Sequence, residues 1–246
     1  MAPILSVERL SKSFSGVQAL EDVDIAVNEG EVLGLVGPNG SGKTTLFNCV
    51  TGFTRPTHGR IVWQGKETTH LAPDQIARRG VVRTFQQKMV FPRATVRENL
   101  EIAWAGRHGN GSARTFAACD DLLHFLGLTP MAEIHAADIP FGSARKLGLG
   151  LALAANPRLL MLDEPAAGLN EDESRELGEL IGKMASLSII VWIIEHDVSL
   201  VMSICDRIVV LHAGRKIAEG KPNDIANDPA VITVFLGEKF AQSTRA

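Results

Sequence analysis

The rhythm of apolar and polar positions changes along the chain. Residues 4–10 and 17–27 alternate aliphatic with polar side chains on either side of Ser15-Gly16, and a period of two broken by a turn pair predicts two antiparallel strands. Residues 31–36, 158–163 and 188–194 are near-continuous apolar runs, the pattern of strands buried on both faces of a parallel sheet. Shorter strand patterns fall at 59–64, 81–85, 207–213 and 216–219, the last two around Gly214. Helical spacing is predicted for 44–51, stopped at Gly52, and for 74–79, 171–186, 198–204 and 222–235. From about 95 to 157 strands give way to Ala, Leu and other helix formers, predicting helices over 95–105, 113–126 and 143–155, with a surface loop at 107–114. Strand–helix alternation on both sides of an all-helical stretch predicts an α/β fold. Its parts are a nucleotide-binding core with a mainly parallel sheet and an antiparallel β side sheet (1–94 and 158–236), an inserted helical subdomain (95–157) and a loose tail (237–246).

The candidate chemistry lies at the ends of the apolar strands. Gly37-Pro38-Asn39-Gly40-Ser41-Gly42-Lys43-Thr44 satisfies G-x-x-x-x-G-K-[ST] between a predicted strand and a predicted helix. Glycines let successive backbone N–H groups turn onto phosphate oxygens, and the helix N-terminus adds partial positive charge. Lys43 is expected to reach the β- and γ-phosphates, the Thr44 hydroxyl to ligate Mg²⁺, and Thr45 to support the α-phosphate side, which makes the core a P-loop NTPase. The strand 158–163 ends in Asp163-Glu164. Alone this pair reads as a solvated acidic turn before Pro165. At the carboxyl end of a strand beside a phosphate loop, Asp163 is expected to hold Mg²⁺ and Glu164 to act as general base on water. His196, after the strand 188–194, is expected at the same edge, able to bond a γ-phosphate and orient water and Glu164; the competing reading is a turn in which Asp197 caps the next helix.

Composition narrows the setting. The 246 residues are 45 % apolar and 22 % charged, enough for a sizeable core, and the net charge of −3 contains no run of five like charges, which argues against nucleic acid as a direct ligand. Cys49, Cys119 and Cys205 lack metal-ligand spacing and read as reduced thiols of a cytosolic protein. The start Met1-Ala-Pro-Ile-Leu5 carries no signal-peptide pattern, and the longest apolar runs fall short of the ~20 residues of a membrane span. Any membrane crossing is therefore expected from another chain. Met161, Met184 and Met202, and Trp63, Trp104 and Trp192, read as core. Arg78, Arg79 and Arg83 flank a strand and read as solvated or structural.

Together these motifs resemble the ABC transporter ATPases over nearly the whole chain. The resemblance implies that Phe14 stacks on adenine, that Gln86 in Arg83-Thr84-Phe85-Gln86 is the glutamine that touches Mg²⁺ and senses the membrane partner, that Ala167-Gly168-Leu169-Asn170 is the D-loop with Asn in place of the usual Asp, and that His196 is the switch histidine. The family's Leu-Ser-Gly-Gly-Gln signature aligns with Ile139-Pro140-Phe141-Gly142-Ser143. Here Pro140 supplies neither hydroxyl nor N–H, while Gly142 and Ser143 still open a helix toward a phosphate. Residues 89–100, with Val90 and Phe91, would line a groove for a helix of the membrane subunit. Asn48-Cys49-Val50-Thr51-Gly52-Phe53, Gly80-Val81-Val82-Arg83-Thr84-Phe85-Gln86, Asp163 to Asn170, and Phe235-Leu236-Gly237-Glu238 look like the cassettes of branched-chain amino acid importers. Urea and short-amide importers and the lipopolysaccharide-export ATPase share much of this wording. The resemblance thus implies an ATP- and Mg²⁺-dependent ATPase peripheral to the cytoplasmic face of the inner membrane. Its implied partners are a second cassette, two integral membrane permeases and a periplasmic solute-binding protein. A degenerate module that binds ATP with weak turnover is the rival reading.

Overall fold

The computed structural model describes residues 2–84, 90–106 and 115–235. Strands β1 (Leu5–Phe14) and β2 (Val17–Val27) form an antiparallel hairpin, joined by Ser15 and Gly16 at φ 45° and 88°. Positive φ at both central residues is what a tight hairpin turn of matching twist requires. With β4 (His58–Trp63) and β5 (Lys66–Glu67) they make a side sheet in the order β2-β1-β4-β5. The two-residue β5 carries no periodic signal, so the sequence pattern passes over it. The main sheet has the order β10-β9-β3-β8-β7-β6, built from β3 (Val32–Val36), β6 (Val81–Arg83), β7 (Leu159–Asp163), β8 (Ile190–Ile194), β9 (Arg207–His212) and β10 (Arg215–Gly220). All its pairs are parallel except β9–β10.

Each central strand is buried on both faces, and its alternate residues enter two different cores. Leu33, Leu35, Leu159, Met161, Trp192 and Ile194 join the side sheet and α1 (Lys43–Val50), where Phe47 meets Trp192 edge-on at 5.2 Å between centroids. Val32, Val36, Leu160, Leu162, Val191 and Ile193 join the helical stretch and the helices α6 (Glu171–Ser186) and α7 (Val198–Ile204). Each fully buried aliphatic side chain contributes about 1.5–3 kcal/mol, so the sheet is the rigid frame on which the loops at its edges are held. Trp63 and Trp192 are buried as expected, and Trp104 is half-buried. Burial pushes the Cys49 thiol up to about 11 and the Cys205 thiol up to about 12, consistent with inert core cysteines. Among the described residues no helix is long and apolar enough to cross a membrane.

Helix ends follow local capping. In α3 (Val96–Ala105) Thr95 Oγ1 accepts from Glu98 N, and Glu98 accepts from Thr95 N. Asn170 fills the same role for α6: its side chain accepts from Glu173 N at 2.9 Å, and Glu173 accepts from Asn170 N at 3.0 Å. The short helix α2 (Pro73–Ala77) follows β5. Two helix expectations are corrected. The helix predicted over 113–126 begins only at α4 (Cys119–Phe125), because the Asp121 carboxylate takes the Ala118 N–H and Asn156 Oδ1 takes that of Thr115. The helix predicted over 222–235 is two pieces, α8 (Pro222–Ala226) and residues 229–235, because Asp228 Oδ1 caps the second at Ala230 N. The helical stretch ends in α5 (Phe141–Ala154). The predicted loop at 107–114 and tail at 237–246 lie outside the described residues.

Candidate functional site

Sheet register brings the candidate residues to one edge. Ile194 stands level with Leu35 of β3 on one side and with Asp163 of β7 on the other. The loop after β3, the turn after β7 and the turn after β8 therefore all leave the sheet at its carboxyl edge, where ligands of parallel sheets gather.

The loop 37–42 is held tightly from behind. Gly37 has φ 151°, and a Cβ there would stand 2.1 Å from the Leu211 carbonyl oxygen; at Gly42, φ 106°, it would stand 2.6 Å from that of Ala19. Only glycine fits either place. The Gly214 N–H, in the β9–β10 turn, donates to Ser41 O at 3.0 Å. Lys43, buried in the first turn of α1, donates from Nζ to the carbonyls of Gly37 at 2.6 Å and Pro38 at 3.0 Å. Asn39, Gly40 and Thr44 are exposed, and Thr45 is half-buried. Among the described residues, the buried Ser41 Oγ has no hydrogen-bond partner.

Asp163 is 5 % exposed and divides its carboxylate: Oδ2 accepts from Arg83 Nη2 at 2.5 Å, while Oδ1 is buried without a partner among the described residues. A buried carboxylate oxygen with nothing to accept from is costly, and a cation is one group that would satisfy it. Glu164, at φ 49°, sets its Oε1 2.8 Å from His196 Nε2, whose N–H donates when the proton sits on that nitrogen. Both side chains reach solvent, at 24 % and 46 % exposure. Asp197 does cap α7, accepting from Ser199 N and Leu200 N, so the capping reading and the Glu164 contact hold together. Phe14 ends β1 at the hairpin tip, 47 % exposed, with Lys12 Nζ 4.7 Å from its ring centroid. Gly142 and Ser143 lie in the first turn of α5, beside α6 and the 166–170 turn: a Cβ on Gly142 would meet Glu173, and one on Gly168 would touch Phe141. Gln86 lies outside the described residues.

Two residues here were not read from sequence as part of the site. Of the solvated and structural readings, Arg83 takes the structural one: its side chain is as buried as that of Asp163, and its Nη1 donates to Asn48 Oδ1 at 2.6 Å. Glu195, 4 % exposed, accepts from Ala166 N at 2.6 Å and His196 N at 3.1 Å, tying the turn after β7 to the turn after β8. A charged residue directly after an apolar strand was the available signal for Glu195, whereas Arg83 lies within its strand and offered none. Burial raises the Glu195 carboxyl above its ordinary 4.5, although backbone N–H groups pull the other way. A raised folded-state value means that its stabilising share is full below the unfolded pKa and is lost as pH climbs through the raised one. Glu195→Gln removes the titration but keeps an acceptor for only one of the two N–H groups, its amide NH2 facing the other. Its melting temperature is expected to rise relative to that of wild type between pH 4.5 and pH 8, because wild type alone loses the Glu195 share over that interval; calorimetry at the two pH values reads the difference, and a fall would contradict it.

A glycine loop between a buried strand and a helix, facing an acidic strand end across a parallel sheet, is the architecture of P-loop nucleoside triphosphatases. The chain belongs to the ABC transporter family, whose cassettes bind and hydrolyse ATP to drive transport: that family's profile matches residues 20–167, and the profile described as branched-chain amino acid ATP-binding cassette transporter matches residues 215–241. It is 43 % identical to the high-affinity branched-chain amino acid transport ATP-binding protein BraF of Pseudomonas aeruginosa, over 96 % of this chain and 98 % of that one. It is 41 % identical to LivG of Escherichia coli, which bears the same description, over the same shares. Among solved structures, the ADP conformation of MJ1267, an ATP-binding cassette of an ABC transporter, superposes with a TM-score of 0.85 at 31 % identity, over 96 % of this chain and all of that one.

Proposed function

We propose that this chain powers import of amino acids, branched-chain ones first, and that the carboxyl edge of its main sheet is the catalytic site. The observation that carries the reading is the register that sets Leu35, Ile194 and Asp163 level, so that the phosphate-type loop, Glu164 and His196 share one edge. The names of the 41–43 % identical relatives support the substrate class.

In this reading the N–H groups of 37–45 cradle the triphosphate, and phosphate oxygens replace the Gly37 and Pro38 carbonyls as acceptors for Lys43 Nζ. Phe14 offers its exposed ring to the adenine. Asp163 Oδ1 and the Thr44 hydroxyl, with Gln86, would hold Mg²⁺, which when bound neutralises charge on the phosphates. Glu164 accepts a proton from the attacking water as its oxygen bonds the γ-phosphorus and the bond to the bridging oxygen of ADP breaks. His196 holds the Glu164 carboxylate in position. The first turn of α5, at Gly142 and Ser143, faces the triphosphate of a second cassette packed head to tail.

The protein works at the cytoplasmic face of the inner membrane, with two permeases and a periplasmic solute-binding protein. An open cleft of about 540 Å³, lined by Val82, Val90, Phe91 and Ile102 and reaching Arg83 and Asp163, suits an amphipathic helix of a permease. Ile102, half-exposed on this wall, provides the test: Ile102→Asp is expected to cut ATP-driven uptake at least tenfold in reconstituted vesicles while the isolated cassette keeps its ATP affinity. Unchanged uptake would refute the docking assignment. With the wild-type transporter, uptake of leucine, isoleucine or valine is expected; uptake of urea or short amides alone would refute the substrate class. Pro140 at the start of α5, which offers no side-chain cap and no N–H, favours a second reading of slow turnover, which phosphate release from the full transporter decides.

A further inference from the structure

Arg83 ends β6, the strand that leads into the Gln86 segment, and its guanidinium joins three elements. Nη2 donates to Asp163 on β7, Nη1 donates to Asn48 on α1, and the guanidinium carbon lies 5.6 Å from the Phe47 ring centroid. The pair is buried on both sides, at 5 % exposure each. Such pairs contribute little net stability, because desolvation offsets the attraction. Their effect on a neighbouring charge is larger, since at hydrogen-bond range and away from water a unit charge acts strongly. The guanidinium takes Oδ2 and cancels the carboxylate's net charge, while the buried Oδ1 stays open.

We propose that Arg83 is a positioning residue, the resident counter-ion of Asp163, which presents Oδ1 to the divalent cation and disfavours cation binding until the triphosphate is in place. The inference rests on the reading of Asp163 as a ligand of that cation and adds an order of entry. An unpaired carboxylate at this edge would attract a divalent ion unaided. Beside Arg83, Asp163 offers one oxygen and the pair carries no net negative charge, so the charge this ligand lacks comes from the phosphates. Nucleotide and metal thereby bind as a unit. The same fork ties β6 to β7 and to α1, the helix after the phosphate loop.

Mn²⁺ is the probe, titrated onto the purified full-length chain by electron paramagnetic resonance, with and without a non-hydrolysable ATP analogue. For Arg83→Gln the nucleotide-free Mn²⁺ affinity is expected to rise about tenfold or more, with less than about a threefold change when the analogue is present; the coupling between the ligands shrinks accordingly. A merely structural brace would not tighten nucleotide-free binding. Unchanged nucleotide-free affinity in a folded Arg83→Gln protein overturns the proposal. Should that variant not fold, Arg83→Lys carries the test: it keeps the charge without the fork, so affinity within about threefold of wild type is expected, and a tenfold rise overturns the counter-ion role. Asp163→Asn separates the two levels. If it binds Mn²⁺ with the analogue as wild type does, the metal assignment fails; if it loses that binding while Arg83→Gln behaves as wild type, only the counter-ion role fails.

Discussion

Glu164→Gln is expected to lower ATP turnover by about 10²–10⁴-fold while changing ATP affinity by less than about threefold, the range attributed to a single general base. The substitution is nearly isosteric, and the amide oxygen still accepts from His196 Nε2, which lies 2.8 Å from the Glu164 carboxylate. The backbone N–H of residue 164 keeps its bond to Ile194 O, so the turn stays tied to β8. What disappears is the ability to take a proton from water. Phosphate release under saturating ATP measures the first quantity and equilibrium titration of nucleotide the second. Turnover within twofold of wild type would remove Glu164 from the role of base.

Lys43→Ala is expected to weaken ATP binding by about 10²–10⁴-fold, as the loss of two charge-assisted hydrogen bonds of about 1.5–3 kcal/mol each implies. Lys43 is 6 % exposed and bonded to two carbonyls of its own loop, so its ammonium is already desolvated and aimed into the loop. Exchanging those carbonyls for phosphate oxygens costs little reorganisation, and for that reason the affinity depends on it. Calorimetric titration of ATP with Mg²⁺ reads the change. An unaltered dissociation constant would mean that the triphosphate does not sit on this loop.

The chain discloses its frame wherever the signal is local. The strands at 159–163 and 190–194 announce themselves as apolar runs, because burial on both faces leaves no room for polar alternation. The helices Glu171–Ser186 and Val198–Ile204 have the bounds expected from sequence, since Asn170 and Asp197 mark their starts chemically. The phosphate loop is legible for the same reason: its glycines answer to close backbone approach at Gly37 and Gly42. Contacts between distant segments stay hidden. Nothing around Arg83 names a partner 80 residues away, and a basic residue beside a strand defaults to solvent. Glu195 was masked by its neighbour His196, which carries the more recognisable chemistry. The truncated helix at Cys119 turned on a side-chain cap from Asp121, which helix formers such as Ala117 and Ala118 disguised.

A crystal structure of the Glu164→Gln protein grown with ATP and Mg²⁺ bears most directly on the whole account. Phosphate oxygens are expected against the N–H groups of residues 37–45, with Asp163 Oδ1 turned to the ion and Oδ2 still held by Arg83. A nucleotide seated away from this sheet edge, or an ion that ignores Asp163, would contradict it.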